Sequence, residues 1–214
     1  DMTAPSLIPA QSPASEMAPV VNAMSVDVEE YFQVSAFANH IDPDDWPDLP
    51  SRVEANMDRL LDLFAEHDAR CTFFTLGWIA ERHKSMVRKI IDAGHELASH
   101  GYGHVRATAQ TSDEFRDDIR RTKTILEDVS GVAVNGYRAA SFSFDTTNPW
   151  AHAVLAEEGY SYSSSIYPVR HDHYGVPDAP RFSYSPAGKN GAIEYPLTTV
   201  KLLGRNFPCA GGGY

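Results

Sequence analysis

The sequence predicts an α/β fold built around a parallel sheet or barrel. Short β-branched and aromatic runs alternate with helix-spaced apolar residues at intervals of about 30 residues, the length of a βαβ unit. Helix start and stop signals fall between these runs. Polar residues suited to chemistry sit just past three of the runs, on the side where parallel α/β folds collect their active groups.

Taken in order, residues 1–20 hold four prolines among Ser and Ala without periodicity and read as a disordered lead-in. Residues 21–214 form the domain. Residues 20–28 are apolar enough for a first buried strand, closed by Asp27, Glu29 and Glu30. Residues 42–50 are acidic and proline-punctuated, a loop too broken for an element. Ser51 with Glu54 makes a capping box. The helix it opens carries Val53, Met57, Leu60, Leu61 and Phe64 on one face and stops near Asp68. Residues 70–76 are a second strand. Met86, Ile90 and Ile91 mark a short helix ending at Gly94, and residues 95–99 a third strand. Thr111 with Glu114 is another capping box, and the helix it starts closes at Gly131. Residues 134–139 are a fourth strand. Asn148-Pro149 begins a helix running to Gly159, followed by a fifth strand at 160–163. Residues 167–188, rich in Pro, His, Tyr and Arg, read as a long covering loop, and residues 193–197 as a sixth strand.

A chain of 214 residues is long enough for one sizeable core. The net charge of −11 repels phosphate backbones and excludes nucleic acid as the expected partner, while a neutral sugar chain fits it. No run approaches the length of a membrane-spanning helix, and no secretion signal is evident, which points to the cytoplasm. Self-association is left open. Cys71 and Cys209 cannot make a disulfide framework, and Cys71, inside an apolar run, reads as a buried thiol.

The site candidates come from three strand ends. His100 and His104 are four apart, but Gly101 and Gly103 lie between them. Each glycine would cost about 1 kcal/mol in a helix interior, so the pair belongs on a tight turn. It is either a pair of metal ligands or two solvated loop histidines. Asp27 and Glu29, two apart on a strand, point the same way. Acidic groups there need a partner or a cation; otherwise they mark a solvated strand end. Zinc is the default ion for imidazole with carboxylate, other divalent cations being compatible. Arg138 can hold a carboxylate bidentately from a strand rim, or make a surface salt bridge.

Together these stretches resemble the polysaccharide deacetylase (NodB-homology) family. The resemblance rests on Ser-Val-Asp-Val-Glu-Glu-Tyr-Phe-Gln-Val, Ser-His-Gly-Tyr-Gly-His, Arg-Ala-Ala-Ser-Phe-Ser and Arg-His-Asp-His-Tyr-Gly-Val-Pro-Asp-Ala-Pro-Arg-Phe. It covers residues 23–214 and is nearest to the branch found with bacterial exopolysaccharide gene clusters. It implies a distorted (β/α)7 barrel, a divalent metal, usually zinc, and hydrolytic removal of acetyl groups from an N-acetylated polysaccharide or oligosaccharide. By position, Asp27 matches the general base, Glu29, His100 and His104 the metal ligands, and Arg138 the residue that orients the base. The Ala139 N–H is a candidate oxyanion donor, and His171 and His173 are candidate substrate contacts on the covering loop. Two departures stand out. The first motif is Asp-x-Glu rather than adjacent aspartates, and the late histidine that serves the family as general acid is missing before Tyr214, so the chain reads as C-terminally truncated. The rival expectations are an allantoinase-like hydrolase of a small cyclic amide and a non-catalytic sugar-binding relative.

Overall fold

A computed structural model describes residues 22–188 and 191–210; the expected lead-in and the first two residues of the expected first strand lie outside them. The sheet has six strands: β1 (Met24–Val28), β2 (Cys71–Thr75), β3 (Glu96–Ser99), β4 (Gly136–Tyr137), β5 (Tyr162–Ser163) and β6 (Ile193–Glu194). They lie in sequence order and every pairing is parallel. Between them run α1 (Val53–Glu66), α2 (Gly77–Arg82), α3 (Lys84–Asp92), α4 (Ser112–Ser130) and α5 (Ala151–Glu157). An antiparallel hairpin follows, β7 (Thr199–Leu202) with β8 (Arg205–Pro208). The sheet supplies six strands among the described residues where seven were expected.

The sheet curls. In a flat sheet β1 and β4 would lie about 14 Å apart, three strand spacings and beyond the reach of an arginine side chain. Yet Arg138, one residue past β4, donates to Ser25 and Asp27 on β1, at 2.9 and 2.8 Å. Closure of this kind, with helices outside, is the barrel-type architecture the sequence predicts.

Helices form where the apolar stripe and the caps agree. α4 has the expected capping box: Glu114 N–H donates to Thr111 Oγ1 and Thr111 N–H to Glu114 Oε2, at 3.2 and 2.7 Å. It buries Phe115, Ile119, Leu126 and Val129 and ends on left-handed Gly131 (φ 75°). The box expected at Ser51 and Glu54 does not form. α1 begins two residues later, and Glu54 instead faces His83 at the surface. The cap comes from outside the helix. Glu30 is almost wholly buried, and its Oε1 accepts from Ser51 Oγ, Arg52 N–H and Val53 N–H at 2.5, 2.8 and 3.0 Å. A carboxylate at a helix N-terminus satisfies orphan donors and opposes the helix dipole.

Three further expectations change. Residues 42–50 contain a 3-10 helix, Pro43–Asp48, capped by the Asp42 carboxylate and burying Trp46 against Phe32 and Trp78. Asn148 does not cap α5; its amide closes a loop, accepting from Asp145 N–H and donating to the Ser143 carbonyl. Within 167–188 the described residues hold only an isolated bridge from Tyr184 to Glu194, in keeping with a covering loop. Cys71 is buried and unpaired, its thiol pushed up to about 12 by burial, and Cys209 is exposed.

Replacing Glu30 with Ala removes three charge-assisted bonds at once and is expected to cost about 3 kcal/mol. Glu54→Ala is expected to cost under about 0.5 kcal/mol, as for an exposed pair. Urea denaturation followed by tryptophan fluorescence measures both; equal losses would restore the local capping box.

Candidate metal centre

The sequence-predicted ligands meet. Glu29, His100 and His104 each aim one ligand atom at a common point, and these atoms lie within 4.8 Å of one another. The His104 Nε2 is 2.9 Å and the His100 Nε2 3.9 Å from Glu29 Oε2. Asp27 stands beside them, its Oδ2 3.9 Å from His100 Nε2. The two imidazoles are almost fully buried, at 1% and 5% side-chain exposure, and the two carboxylates are about a quarter open.

Each position has a local cause. Asp27 and Glu29 share the inner face at the end of β1 by strand alternation. His100 follows β3, and its N–H continues the ladder to the Thr75 carbonyl. Its Nδ1 lies 2.9 Å from the Arg138 carbonyl. A carbonyl only accepts, so Nδ1 carries the proton and the Nε2 lone pair is left facing the carboxylates. The turn from Gly101 to His104 doubles back through left-handed backbone at Gly101 (φ 77°) and His104 (φ 56°). Histidine tolerates that region better than most residues, though at a cost. The first N–H groups of α2 hold the turn, Gly77 N–H donating to the Gly101 carbonyl and Trp78 N–H to that of Tyr102, at 2.9 and 3.0 Å. A Cβ at Gly77 would sit 2.8 Å from the Tyr102 ring. From the other side Asp118 on α4 accepts from Tyr102 N–H at 2.8 Å.

Sequence reading overlooked both supports. α2 is six residues, apolar and buried on most sides, so no period announces it. Asp118 falls between the core positions Phe115 and Ile119, and only the acidic residue on an otherwise buried face hinted at a partner.

Arg138 makes no bidentate pair with Asp27. Its fork is spread: one nitrogen to Asp27 Oδ1, the second to Ser25 Oγ and Ser164 Oγ at 2.9 and 3.0 Å, and Nε to the Ser164 carbonyl at 3.0 Å. The guanidinium lies over the Phe74 ring, 4.1 Å from its centroid. The Ala139 N–H, expected as an oxyanion donor, is already spent on Ser165 Oγ at 2.9 Å, because the chain beyond β5 turns under it. His171 and His173 lie on the exposed loop and do not join the ligand cluster. His171 stacks on Tyr174, and the His173 carbonyl accepts from Arg106.

The group fits a cation. His100 Nε2 and His104 Nδ1 are buried without hydrogen-bond partners, and Glu29 Oε2, though 2.9 Å from His104 Nε2, is not met in hydrogen-bond geometry. A lone pair and a carboxylate oxygen facing each other in a closed site call for a positive charge between them. Burial lowers the His100 pKa, opposed by Asp27 and Glu29, so the imidazole stays neutral and ready to ligate. Burial also raises that of Asp27, but His100 and Arg138 outweigh it and hold the carboxyl below the usual range. Both native groups therefore bind protons less readily than in the unfolded chain. Stability is fully present above the ordinary values and is lost as pH falls, for His100 from about 6.5 downward. For metal-free protein, the urea midpoint should drop from pH 7.5 to 5.5, and His100→Gln should reduce that drop. An undiminished drop would remove His100 as a source.

A family model described as polysaccharide deacetylase matches residues 43–162, and a second, described as a domain of unknown function (DUF3473), matches residues 164–214. The chain is 28% identical over 151 residues to the peptidoglycan deacetylase of Helicobacter pylori, covering 69% of this chain and 50% of that protein. It is 35% identical over 81 residues to the chitooligosaccharide deacetylase of Rhizobium leguminosarum bv. trifolii, covering 37% of this chain and 38% of that protein. The alignments thus span half or less of these relatives. Among solved structures, a protein from Mycobacterium smegmatis put forward as a polysaccharide deacetylase superposes with a TM-score of 0.63 at 27% identity, over 82% of this chain and 58% of that one. PuuE allantoinase shares the fold at a TM-score of 0.56 and 19% identity, over 82% of this chain and 61% of that one. With a deacetylase model matched across more than half of its length, this chain belongs to the polysaccharide deacetylase family.

Proposed function

We propose that this chain carries the site of a metal-dependent hydrolase that removes N-linked acetyl groups from an N-acetylated polysaccharide, in the making or modification of an exopolysaccharide. The observation that carries this reading is the Glu29–His100–His104 trio with Asp27 held beside it by Arg138. Relatives named for peptidoglycan and chitooligosaccharide deacetylation support the substrate class. The exopolysaccharide setting rests on the motif resemblance alone. Among the described residues no helix is long and apolar enough to cross a membrane.

Glu29, His100 and His104 would hold the divalent cation, and the donor set suits zinc. When bound, that ion would lower the pKa of a water and polarise the acetyl carbonyl. Asp27 takes the proton as the water attacks. Its Oδ1 is tied to Arg138, which leaves Oδ2, on the His100 side, for that transfer. Once the tetrahedral adduct forms, the proton must reach the departing nitrogen, and Asp27 is the group placed to return it. Arg138 keeps Asp27 ionised between turnovers, and its carbonyl keeps the His100 lone pair directed at the site. The Ala139 N–H has no share in holding the oxyanion.

A hydrolase of cyclic amides would use the same groups, and a sugar-binding relative would not turn over. Acetate release from N-acetylglucosamine oligomers, measured against ring opening of cyclic ureides, separates all three. Asp27→Asn is expected to lower kcat/KM by about 10³ with bound metal retained; activity within a few-fold of wild type would remove Asp27 as base. The double change His100→Ala, His104→Ala is expected to abolish metal binding, and unchanged zinc content would overturn the ligand set. Asp118→Ala should weaken metal affinity about tenfold by loosening the turn, while Asp118→Asn, which keeps an acceptor for Tyr102 N–H, should not. Competition against a chelator measures both.

A further inference from the structure

The segment matched only by a domain of unknown function builds a cationic cleft. The chain as a whole is strongly acidic, yet within residues 164–214 five Lys and Arg stand against three Asp and Glu, while the rest of the chain holds 13 against 26. Four of those cations, Arg170, Arg181, Lys201 and Arg205, line one cleft of about 770 Å³, with Asp178 the lone carboxylate among its walls. No carboxylate pairs with any of the four within 4 Å among the described residues.

The cleft has a built frame. Arg181 is anchored on β7, its Nε donating to Thr199 Oγ1 at 2.9 Å and another nitrogen to the Thr199 carbonyl at 2.5 Å. Asn206 on β8 clips the hairpin to the loop by donating to the Pro168 carbonyl at 2.9 Å. Two rings line one wall: His171 lies parallel to Tyr174 at 4.0 Å, and Tyr174 is backed by buried Tyr167, parallel to it at 5.9 Å. A chain of contacts runs from the cleft towards the candidate metal centre. Tyr174 packs edge-on against Phe142, whose ring lies 5.7 Å from the Arg138 guanidinium. Arg106, two residues past His104, binds the His173 carbonyl.

We propose that this cleft is a subsite for a carboxylate-bearing sugar of the chain being deacetylated, so that the natural substrate is an acidic polysaccharide. Arginine forks match carboxylates, and flat ring walls suit the faces of pyranose rings. Concentrating cations here, in an otherwise repelling field, raises the local concentration of an anionic polymer at the metal centre. The inference rests on the deacetylase reading for the identity of the ligand as a saccharide, but binding can be measured without turnover.

The test is calorimetry on the full-length protein at low salt. The probes are an alternating glucuronate–N-acetylglucosamine hexasaccharide, neutral chitohexaose and a glycerol-phosphate oligomer of equal charge. The acidic saccharide is expected to bind about tenfold tighter than the neutral one, and the preference to fade as salt rises. Lys201→Glu with Arg205→Glu should erase the preference while chitohexaose binding and metal content stay unchanged. Where the reversal unfolds the hairpin, Lys201→Gln with Arg205→Gln serves instead, with a loss of threefold or more expected. Equal binding of acidic and neutral chains, or a preference that survives the substitutions, would overturn the proposal. Tighter binding of the phosphate oligomer than of the acidic saccharide would overturn the carboxylate assignment. Absent deacetylation with charge-sensitive binding intact would count against the deacetylase reading and leave the cleft standing.

Discussion

The site depends on one guanidinium inside a curled sheet. Arg138 touches three strands at once: Ser25 and Asp27 on β1, its own neighbours at the end of β4, and Ser164 just past β5. A buried cation with a single partner would be destabilising, because desolvation is repaid only when geometry and hydrogen bonding are both good. Here the fork meets one carboxylate, two hydroxyls and a carbonyl, with Phe74 beneath it. The same residue's carbonyl then fixes the proton on His100. Asp27 and His100 are thus oriented by two ends of one residue, and a shift of the β4 rim would move both together.

Holding two nearly buried imidazoles toward two carboxylates stores unfavourable contacts, and the surroundings absorb them. The left-handed conformation at His104 is compatible with the turn only because α2 and α4 grip it from opposite sides. Those grips are backbone donors meeting carbonyls and a carboxylate meeting an N–H, which do not depend on a cation. The turn is therefore preorganised around Glu29 Oε2 and His100 Nε2, two buried atoms left without hydrogen bonds where the candidate ligands meet. Metal-centre precision of this sort comes from the layer of bonds behind the ligands.

Much of this was legible in the sequence, and what was legible shares a cause. Asp27, Glu29, His100 and His104 could be found because strand alternation and glycine-bounded turns are local rules. Thr111 with Glu114, and Gly131, were found because a helix cap lies within three or four residues of what it caps. Two of the misses are long-range, and two are local. α1 takes its cap from Glu30, more than twenty residues earlier, so the local Ser51 and Glu54 pattern misled. Asn148 sat where a cap should sit but found better partners in its own loop. The Ala139 N–H was claimed by Ser165, a partner 26 positions away that no spacing rule anticipates. The β7–β8 hairpin lacked alternation strong enough to betray it, since most of both strands is exposed.

The boundary between the two matched segments does not divide the molecule physically. Asp27 and Glu29 precede the first segment, and Ser164, which holds Arg138, opens the second. Behind Ser164 stands Glu194 at the end of β6. It is fully buried, accepts from Ser165 N–H and Ile166 N–H at 2.8 Å each, and meets His152 of α5 at 2.9 Å. That carboxylate sets the path of residues 164–166, and the path decides both where the Arg138 fork ends and where the Ala139 N–H goes. A segment ending at residue 162 would keep its two histidines but lose the Ser164 hydroxyl and carbonyl that hold part of the arginine fork. The segment of unknown function is accordingly part of the wall of the candidate metal centre.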